Sequence, residues 1–356
     1  LLRTNPCHIT QERRNILEVL KGLNFSKDSR EVLYKELDHQ YENLETSSLV
    51  KNNIKSILSD NTFTVTTGHQ LNIFTGPMYV IYKIISVIKL SQTLSKKYPK
   101  YKFVPVYWMA SEDHDFEEIK SFHSNGKTYT WDTNSKGPVG NLNTETLKNI
   151  FNEDISIPEF FKDAYFSSSS LSEAVRKYMN YLFGEYGLIT IDPNSKNLKK
   201  NIIDIIVDDV INNTIEGIEK SSETVSDVYV RKVNFFYQES DLRERIDKTD
   251  KYNVLSTNLS FTEKEINDKI KTSPESFSPN VITRCLYQQR ILPNVCYLGG
   301  PAEIVYWESF KKFFDNYNVP YPVLVPRDFV LLLSAKIQKL INKLKLSSID
   351  LFIDKK

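Results

Sequence analysis

This sequence is short of the features that most readily betray a function. It has only three cysteines, Cys7, Cys285 and Cys296, and none belongs to a CxxC pair or a Cys/His cluster with zinc-finger spacing. That excludes a disulfide framework and a zinc finger, and it suits a reducing, cytoplasmic compartment with idle thiols. No apolar run reaches about 18 residues, the length of a bilayer-spanning helix. No charged-then-apolar leader opens the chain. It starts at Leu1 rather than Met, which points to a fragment. Excess charge is also missing. With 46 basic against 45 acidic side chains the formal net charge is +1, so no whole-chain field draws nucleic acid or a membrane surface. Neither a Walker loop nor GxGxxG occurs, and there is no internal repeat or low-complexity tract. Apolar content of 40% and charged content of 26% are ordinary for a globular chain of 356 residues.

Periodicity supplies the positive evidence. Leu33, Leu37, Tyr41 and Leu44 share one helical face, so residues 1–60 read as an N-terminal helical segment. After Asp60-Asn61 the pattern turns β-rich from Thr62 to Thr67. Thr75-Gly76-Pro77 then opens a long apolar helix to about Tyr98, with Thr75 as cap and Pro77 in the first helical position. Phe103 to Met109 is a second strand. Strand, helix and strand make a parallel βαβ unit with a right-handed crossover. Residues 61–120 are thus the first half of a core.

The region 121–275 reads as an insertion with further α/β elements. Asn125-Gly126 signals a hairpin, Leu188 to Ile191 a strand, and Ser195 to Lys220 a helix. Residues 276–327 return to the βα rhythm. Asn294 to Leu298 is a strand, Gly299-Gly300-Pro301 a joint, Ala302 to Tyr317 a helix, and Tyr321 to Val325 a strand. The fold class is α/β, a Rossmann-like doubly wound parallel sheet built from both ends of the chain. In residues 328–356, Val330, Leu333, Ile337, Leu340 and Leu344 follow the spacing of a coiled-coil seam beginning near Asp328. An ordinary packed helix is an equal reading of so short a stretch.

Three polar turns hold the candidate chemistry. Gly68-His69-Gln70 through Thr75-Gly76 lies between a strand and a helix, where free N–H groups meet anions. Gly68 and Gly76 admit a close backbone approach, and His69, Gln70 and Thr75 add donors. A tight turn with satisfied side chains is the alternative. Lys83, inside the following apolar stretch, either snorkels to the surface or touches a phosphate. The second turn is Glu112-Asp113-His114-Asp115-Phe116-Glu117-Glu118. Asp115 and Glu118 fit a capping box, which leaves His114 between two aspartates unexplained. Such a cluster suits amine recognition or general-base work. One histidine among acids is weak grounds for a metal, and none is assigned. The third turn carries Gly299, Gly300 and Glu303, with Asn280 and Arg284 upstream and Arg327 past the last strand.

TGHQLNIFTGPMYVIYKIISVIKL, VPVYWMASEDHDFEEI, SPNVITRCLYQQRILP and YLGGPAEIVYWESFKKFF with YPVLVPR, in that order, resemble the bacillithiol cysteine-adding family. The resemblance runs from about Thr67 to Arg327. It implies a Rossmann-like core with connecting-peptide insertions and a coiled coil that makes the full-length protein a homodimer. It further implies a cytoplasmic ligase joining L-cysteine to glucosaminyl-malate. By analogy to adenylate-forming enzymes, ATP with Mg2+ would activate the carboxylate. Under that reading Gly68, His69, Gln70, Thr75, Gly76 and Lys83 face the nucleotide, with His69 donating to developing charge. Glu112, Asp113 and His114 hold the amine, one of them taking its proton. Asn280, Arg284, Gly299, Gly300, Glu303 and Arg327 line the pocket, Arg284 pairing with malate carboxylates. Family members commonly carry glycine where this chain has Ala302, whose methyl stands to crowd that turn. Rival readings are a nucleotidyl or glycosyl transferase on the same fold, and a nucleotide-binding coiled-coil dimer without catalysis.

Overall fold

The β-branched run from Thr62 forms β1 (Thr62–His69), and the apolar run after Lys102 forms β2 (Lys102–Met109). They pair in parallel, Thr62 opposite Lys102 and His69 opposite Met109, in a computed structural model. It describes residues 16–352, apart from 24, 125, 152–155, 224–225 and 348. Cys7 and Asn125 therefore lie outside the described residues.

The N-terminal helices include α1 (Lys27–Tyr41) and α2 (Ser48–Ser56), capped by Ser26 and Ser47. Leu33, Leu37 and Tyr41 are buried as their spacing requires. The crossover helix α3 (Met78–Lys97) starts one residue later than expected. Pro77 is its N-cap, no side chain caps it, and so Thr75 does not play that part. Near the middle of β2, Pro105 lacks an N–H. It is tolerated because the next strand pairs only from Val106 onward, which leaves β2 an edge at that point.

A hairpin of β3 (Ser121–Ser124) and β4 (Lys127–Thr130) follows, and then α4 (Leu171–Phe183), capped by Ser170 from the four-serine loop. β5 (Ile189–Ile191) joins the free side of β2, so the middle of the chain contributes a strand to the parallel sheet. The single helix expected from Ser195 to Lys220 is several shorter ones. Its sharpest break is at Asn213, in the left-handed region at φ 57° with its amide donating to Lys232 O.

The sequence reading had no account of a second sheet, which is antiparallel. Its strands are β6 (Phe235–Glu239), β7 (Leu242–Lys248), β8 (Tyr252–Val254), β9 (Ser260–Phe261) and β10 (Phe277–Pro279), in the order β10-β6-β7-β8-β9. It does not carry a core of its own. Phe235, Tyr237, Ile246 and Phe277 pack into the same apolar cluster as Val104, Val106 and Trp108 of β2. Tyr107 and Met109, on the opposite face of β2, pack with Val80 and Ile84 of α3.

After α5 (Val281–Ile291), β11 (Asn294–Gly299) and β12 (Val323–Pro326) complete the parallel sheet in the order β12-β11-β1-β2-β5. Between them the expected single helix divides at Phe310 into α6 (Pro301–Ser309) and a second piece, Lys311–Asn316. The chain winds one way from β1 and later the other way, so the order reverses between β1 and β11. Registered pairing between them stops at Thr66 opposite Tyr297, short of both carboxyl ends, and the crevice at such a switch point is where parallel sheets bind ligands.

The proposed coiled-coil arm is shorter than its seam. Residues 327–334 are not helical, so Val330 and Leu333 precede α7 (Ala335–Lys343), which Ser334 caps. Ile337, Leu340 and Leu344 are exposed. Among the described residues no helix is long and apolar enough to cross a membrane.

The β1–β11 seam rests on a buried polar ladder. Thr66 Oγ1 donates to Asn294 Oδ1 at 2.8 Å, the Asn294 amide donates to Gln289 Oε1, and Gln289 Nε2 returns to Asn294 O at 2.6 Å. Asn294→Ala strands a buried threonine hydroxyl and a glutamine oxygen. We expect a loss of roughly 2 kcal/mol, read as a lower urea midpoint with an unchanged slope.

A cationic crevice beside an acidic turn

Lys83 lies in the second turn of α3, and its side chain runs back toward the helix start, as helical side chains do. There it meets β1, and Nζ donates to Gly68 O at 2.6 Å. It also meets Glu303 of α6, at 2.7 Å to Oε2 and 3.0 Å to Oε1. Glu303 is fixed twice more. Gly300 N–H donates to Oε2 at 2.6 Å and the Tyr297 hydroxyl to Oε1 at 2.9 Å. Lys83 is only 1% exposed, so it neither snorkels to the surface nor extends over the turn. Burial lowers the lysine pKa against the pull of Glu303. Burial pushes the glutamate up, but Lys83, the Gly300 N–H and Tyr297 outweigh it and hold the carboxyl below its usual range.

This pair neutralises itself and leaves two cations at the crevice. Arg284 of α5 reaches under β1, and a Cβ on Gly68 would sit 3.0 Å from its Nη1. A side chain at position 68 would therefore push the guanidinium away. Arg284 otherwise donates to Gln288 and faces the Tyr297 hydroxyl at 3.5 Å. The Arg327 guanidinium lies over the rings of Tyr79 and Phe329, and its backbone N–H ties β12 to Gly299 O at 2.9 Å. Among the described residues neither arginine has a carboxylate within ion-pair distance. The crevice is thus receptive to anions.

His69 ends β1 with its ring edge-on to Tyr79. Its Nε2 is buried without a partner among the described residues. Burial, helped by Lys83 and opposed by Glu303, lowers its pKa to about 4. At neutral pH it is an uncharged imidazole. The turn beyond it has left-handed backbone at two positions and is held by a hydrogen bond and ring packing. Phe74 has φ 58°, its N–H donates to the Tyr165 hydroxyl at 2.6 Å, and its ring packs on Phe122 and Phe161. Gly76 has φ 64°, and a Cβ there would meet Asn72 at 2.6 Å.

The acidic turn lies along the same rim, past β2. Gln70 Nε2 spans the two, donating to Asp113 Oδ2 at 3.0 Å and Glu118 Oε2 at 2.6 Å. Asp115 caps the short helix Phe116–Ile119 as expected, but Glu118 turns to Gln70 instead of closing the box. Asp113 also accepts from its neighbours' backbone N–H groups. Burial raises its pKa, but Gln70, Arg243 and those N–H groups outweigh that and hold it below the ordinary carboxylate range. Arg243 of β7 donates to His114 Nδ1, to Ser278 and to Pro279 O. Burial and that guanidinium lower the His114 pKa. Asp115, Glu117 and Glu118 are exposed, so the patch presents carboxylate to solvent.

Comparison with known proteins agrees with the Rossmann-like fold. Residues 7–328 match the family model described as bacillithiol biosynthesis BshC, N-terminal Rossmann-like domain. The chain belongs to this family. It is 44% identical over 348 residues to a Flavobacterium johnsoniae protein named "Putative cysteine ligase BshC", covering 93% of this chain and 66% of that protein. Proteins of the same name from Cytophaga hutchinsonii and Chlorobaculum tepidum are 43% and 28% identical, over 85% and 88% of this chain. The chain spans just under two thirds of the Flavobacterium relative's length.

Within this BshC-family core, Gly68, His69, Lys83, Arg284, Gly299, Gly300, Glu303 and Arg327 come together at the switch point. Gln70, Asp113 and His114 gather beside them. Thr75 and Gly76 lie farther along the turn, with no side-chain contact to either group among the described residues. Glu112 is buried in an ion pair with Lys199. Asn280 caps α5, its Oδ1 accepting from Ile282 and Thr283 N–H. Ala302 is exposed, so its methyl crowds nothing. Tyr79, Lys199 and Arg243 carry no mark in the sequence, and Glu118, expected in a capping box, instead accepts from Gln70. Nothing local marks Arg243 as the inward arginine of its strand.

Two outcomes follow. In an NMR titration the His69 ring should stay neutral through the usual histidine range and protonate near pH 4. The unfolded chain takes up that proton at about 6.5, so stability falls as pH drops from about 6.5 toward 4. Lys83→Met should cost about 3 kcal/mol in denaturant unfolding, the low end for a broken buried pair because Glu303 keeps 23% of its side chain exposed. Adding Glu303→Gln should recover part of the loss.

Proposed function

We propose that this chain carries the nucleotide- and substrate-binding core of a ligase that joins L-cysteine to glucosaminyl-malate in bacillithiol biosynthesis, at the expense of ATP. The observation that supports it most is the side-by-side arrangement of an anion-receptive crevice and an exposed acidic turn on one rim of a parallel sheet. Amide formation from a carboxylate and an amine needs both, one to activate an acid as an acyl phosphate and one to hold the amine nucleophile.

In this reading Arg284 and Arg327, with the free backbone N–H groups at the start of α3, face phosphate and carboxylate oxygens. Neutral His69 donates one N–H to charge developing at phosphorus. Lys83 and Glu303 are positioning residues. They hold Gly68 and the Gly299-Gly300 turn in place and do not touch substrate. Asp113 and Glu118 receive the ammonium of the sugar, and Asp113 or His114 takes a proton as the amine becomes nucleophilic. Glu112 drops out of amine binding, because Lys199 already neutralises it. The cysteine carboxylate first attacks the nucleotide's α-phosphate, expelling pyrophosphate and forming a mixed acyl-phosphate anhydride. The amine then attacks the carbonyl, the amide forms, and AMP leaves. Mg2+ enters with the nucleotide. A cytoplasmic location and a homodimer of the full-length protein belong to the same proposal.

The test is full-length protein with L-cysteine, glucosaminyl-malate and Mg-ATP, assayed by mass spectrometry for the amide and AMP. His69→Ala should lower kcat about a hundredfold. Asp113→Asn should raise the KM for glucosaminyl-malate about tenfold while leaving nucleotide affinity near that of the parent. Turnover independent of cysteine would favour a transferase, and nucleotide binding without turnover a non-catalytic role.

A further inference from the structure

At the far edge of the parallel sheet, past the carboxyl end of β5, a cavity of about 320 Å³ opens between α1 and α4. Arg176 of α4 lines it and is only 9% exposed. Among the described residues its guanidinium makes one side-chain hydrogen bond, to Gln40 Oε1 at 3.1 Å, and Nε is buried without a partner. Among the described residues no carboxylate lies within ion-pair distance of it. A buried guanidinium left so is costly unless something else supplies the negative charge.

The same cavity holds the opposite imbalance a few ångströms away. Glu36 of α1 is 7% exposed and has no cation partner among the described residues. Among the described residues it accepts from amides alone, Gln40 Nε2 at 3.1 Å and Asn197 Nδ2 at 3.4 Å. Asp192, just past β5, uses Oδ1 to accept from Ser111 and Asn194, and among the described residues Oδ2 makes no hydrogen bond. Glu173 and Lys177 pair with each other and cancel. What keeps Arg176 from collapsing onto Glu36 is Gln40. Its oxygen accepts from Arg176 and from Asp192 N–H at 2.9 Å, and its amide donates to Glu36 and to Asp192 O at 2.8 Å. All four contacts of the Gln40 amide are taken, so it stands as a fixed spacer between one free positive and two free negative groups.

We propose that this cavity is a binding site for a free α-amino acid, the zwitterion whose carboxylate meets Arg176 and whose ammonium meets Glu36 and Asp192. An anion alone would leave two carboxylates unpaired, and an amine alone would leave the guanidinium so. A molecule that carries both charged groups on one carbon satisfies both sets across the width of one amide. The site is distinct from the β1–β11 crevice, two strands away, and it does not depend on the reaction proposed there.

The experiment is calorimetric titration of the protein with a panel of free L-amino acids, L-serine and L-cysteine among them. Ethanolamine and 3-hydroxypropionate serve as single-charge controls for L-serine. At least one amino acid should bind, and each single-charge control should bind about tenfold or more weakly, the worth of one charged hydrogen-bonded contact. Arg176→Gln should abolish binding, and Glu36→Gln should weaken it about tenfold. If Arg176→Gln fails to fold, Arg176→Lys and Glu36→Gln carry the test. On binding, the Gln40 side-chain amide resonance should shift. Absence of binding at millimolar concentration overturns the proposal. So does equal binding of 3-hydroxypropionate, undiminished binding by a folded Arg176 variant, or a shift confined to residues 68–76.

Discussion

The buried contact between Lys83 and Glu303 joins the two halves of the ligand crevice. Lys83 belongs to the helix after β1, Glu303 to the helix after β11, and the ammonium also holds the Gly68 carbonyl at the end of β1. Strands that meet at a topological switch point diverge at their carboxyl ends, so hydrogen bonds of the sheet cannot fix the spacing there. A charged pair removed from water can, because separating it would leave two uncompensated ions in a poor solvent. The Gly300 N–H and the Tyr297 hydroxyl satisfy the remaining capacity of the carboxylate, which makes the contact a closed network.

That arrangement also decides the electrostatics. With Lys83 and Glu303 cancelling, the sign of the crevice is set by Arg284 and Arg327, and the sign of the neighbouring turn by Asp115 and Glu118, since Glu117 pairs with Lys120. Gln70 stands between them and bonds only to the acidic side through its side chain. A neutral residue in that place lets opposite fields lie close together without collapsing into salt bridges. Gln40 separates Arg176 from Glu36 in the same manner at the sheet edge.

The insertion contributes through packing and one side chain. Its antiparallel sheet shares the apolar cluster on one face of β2, so it is held by the parallel core. From that position β7 sends Arg243 to the His114 ring and depresses its basicity. The histidine that looked anomalous between two aspartates thus has a cationic neighbour more than a hundred residues away in sequence.

Much was legible from local pattern. The βαβ unit, the late return of βα rhythm and the three polar turns follow from periodicity and from glycine placement, which are properties of neighbouring residues. The burial of Leu33, Leu37 and Tyr41 follows from a spacing that leaves one helical face apolar. What local pattern could not decide was which charges meet. Lys83 read as a surface or phosphate lysine because its partner lies 220 residues on, and Glu112 read as a free acid because Lys199 is equally remote. The end of the chain misled for the opposite reason. Val330 and Leu333 share a heptad spacing with Ile337, Leu340 and Leu344, but spacing only permits a helix. Residues 327–334 are not helical, and among the described residues the seam side chains Ile337, Leu340 and Leu344 are exposed. Sequence alone determined the strands and crossover helix of the parallel core and where polar turns fall, since backbone preference and periodic burial act over a few residues. Tertiary structure alone decided which charges are cancelled and which remain for a ligand, since Coulomb energy in a dry interior depends on distance in space and on nothing in the order of the chain.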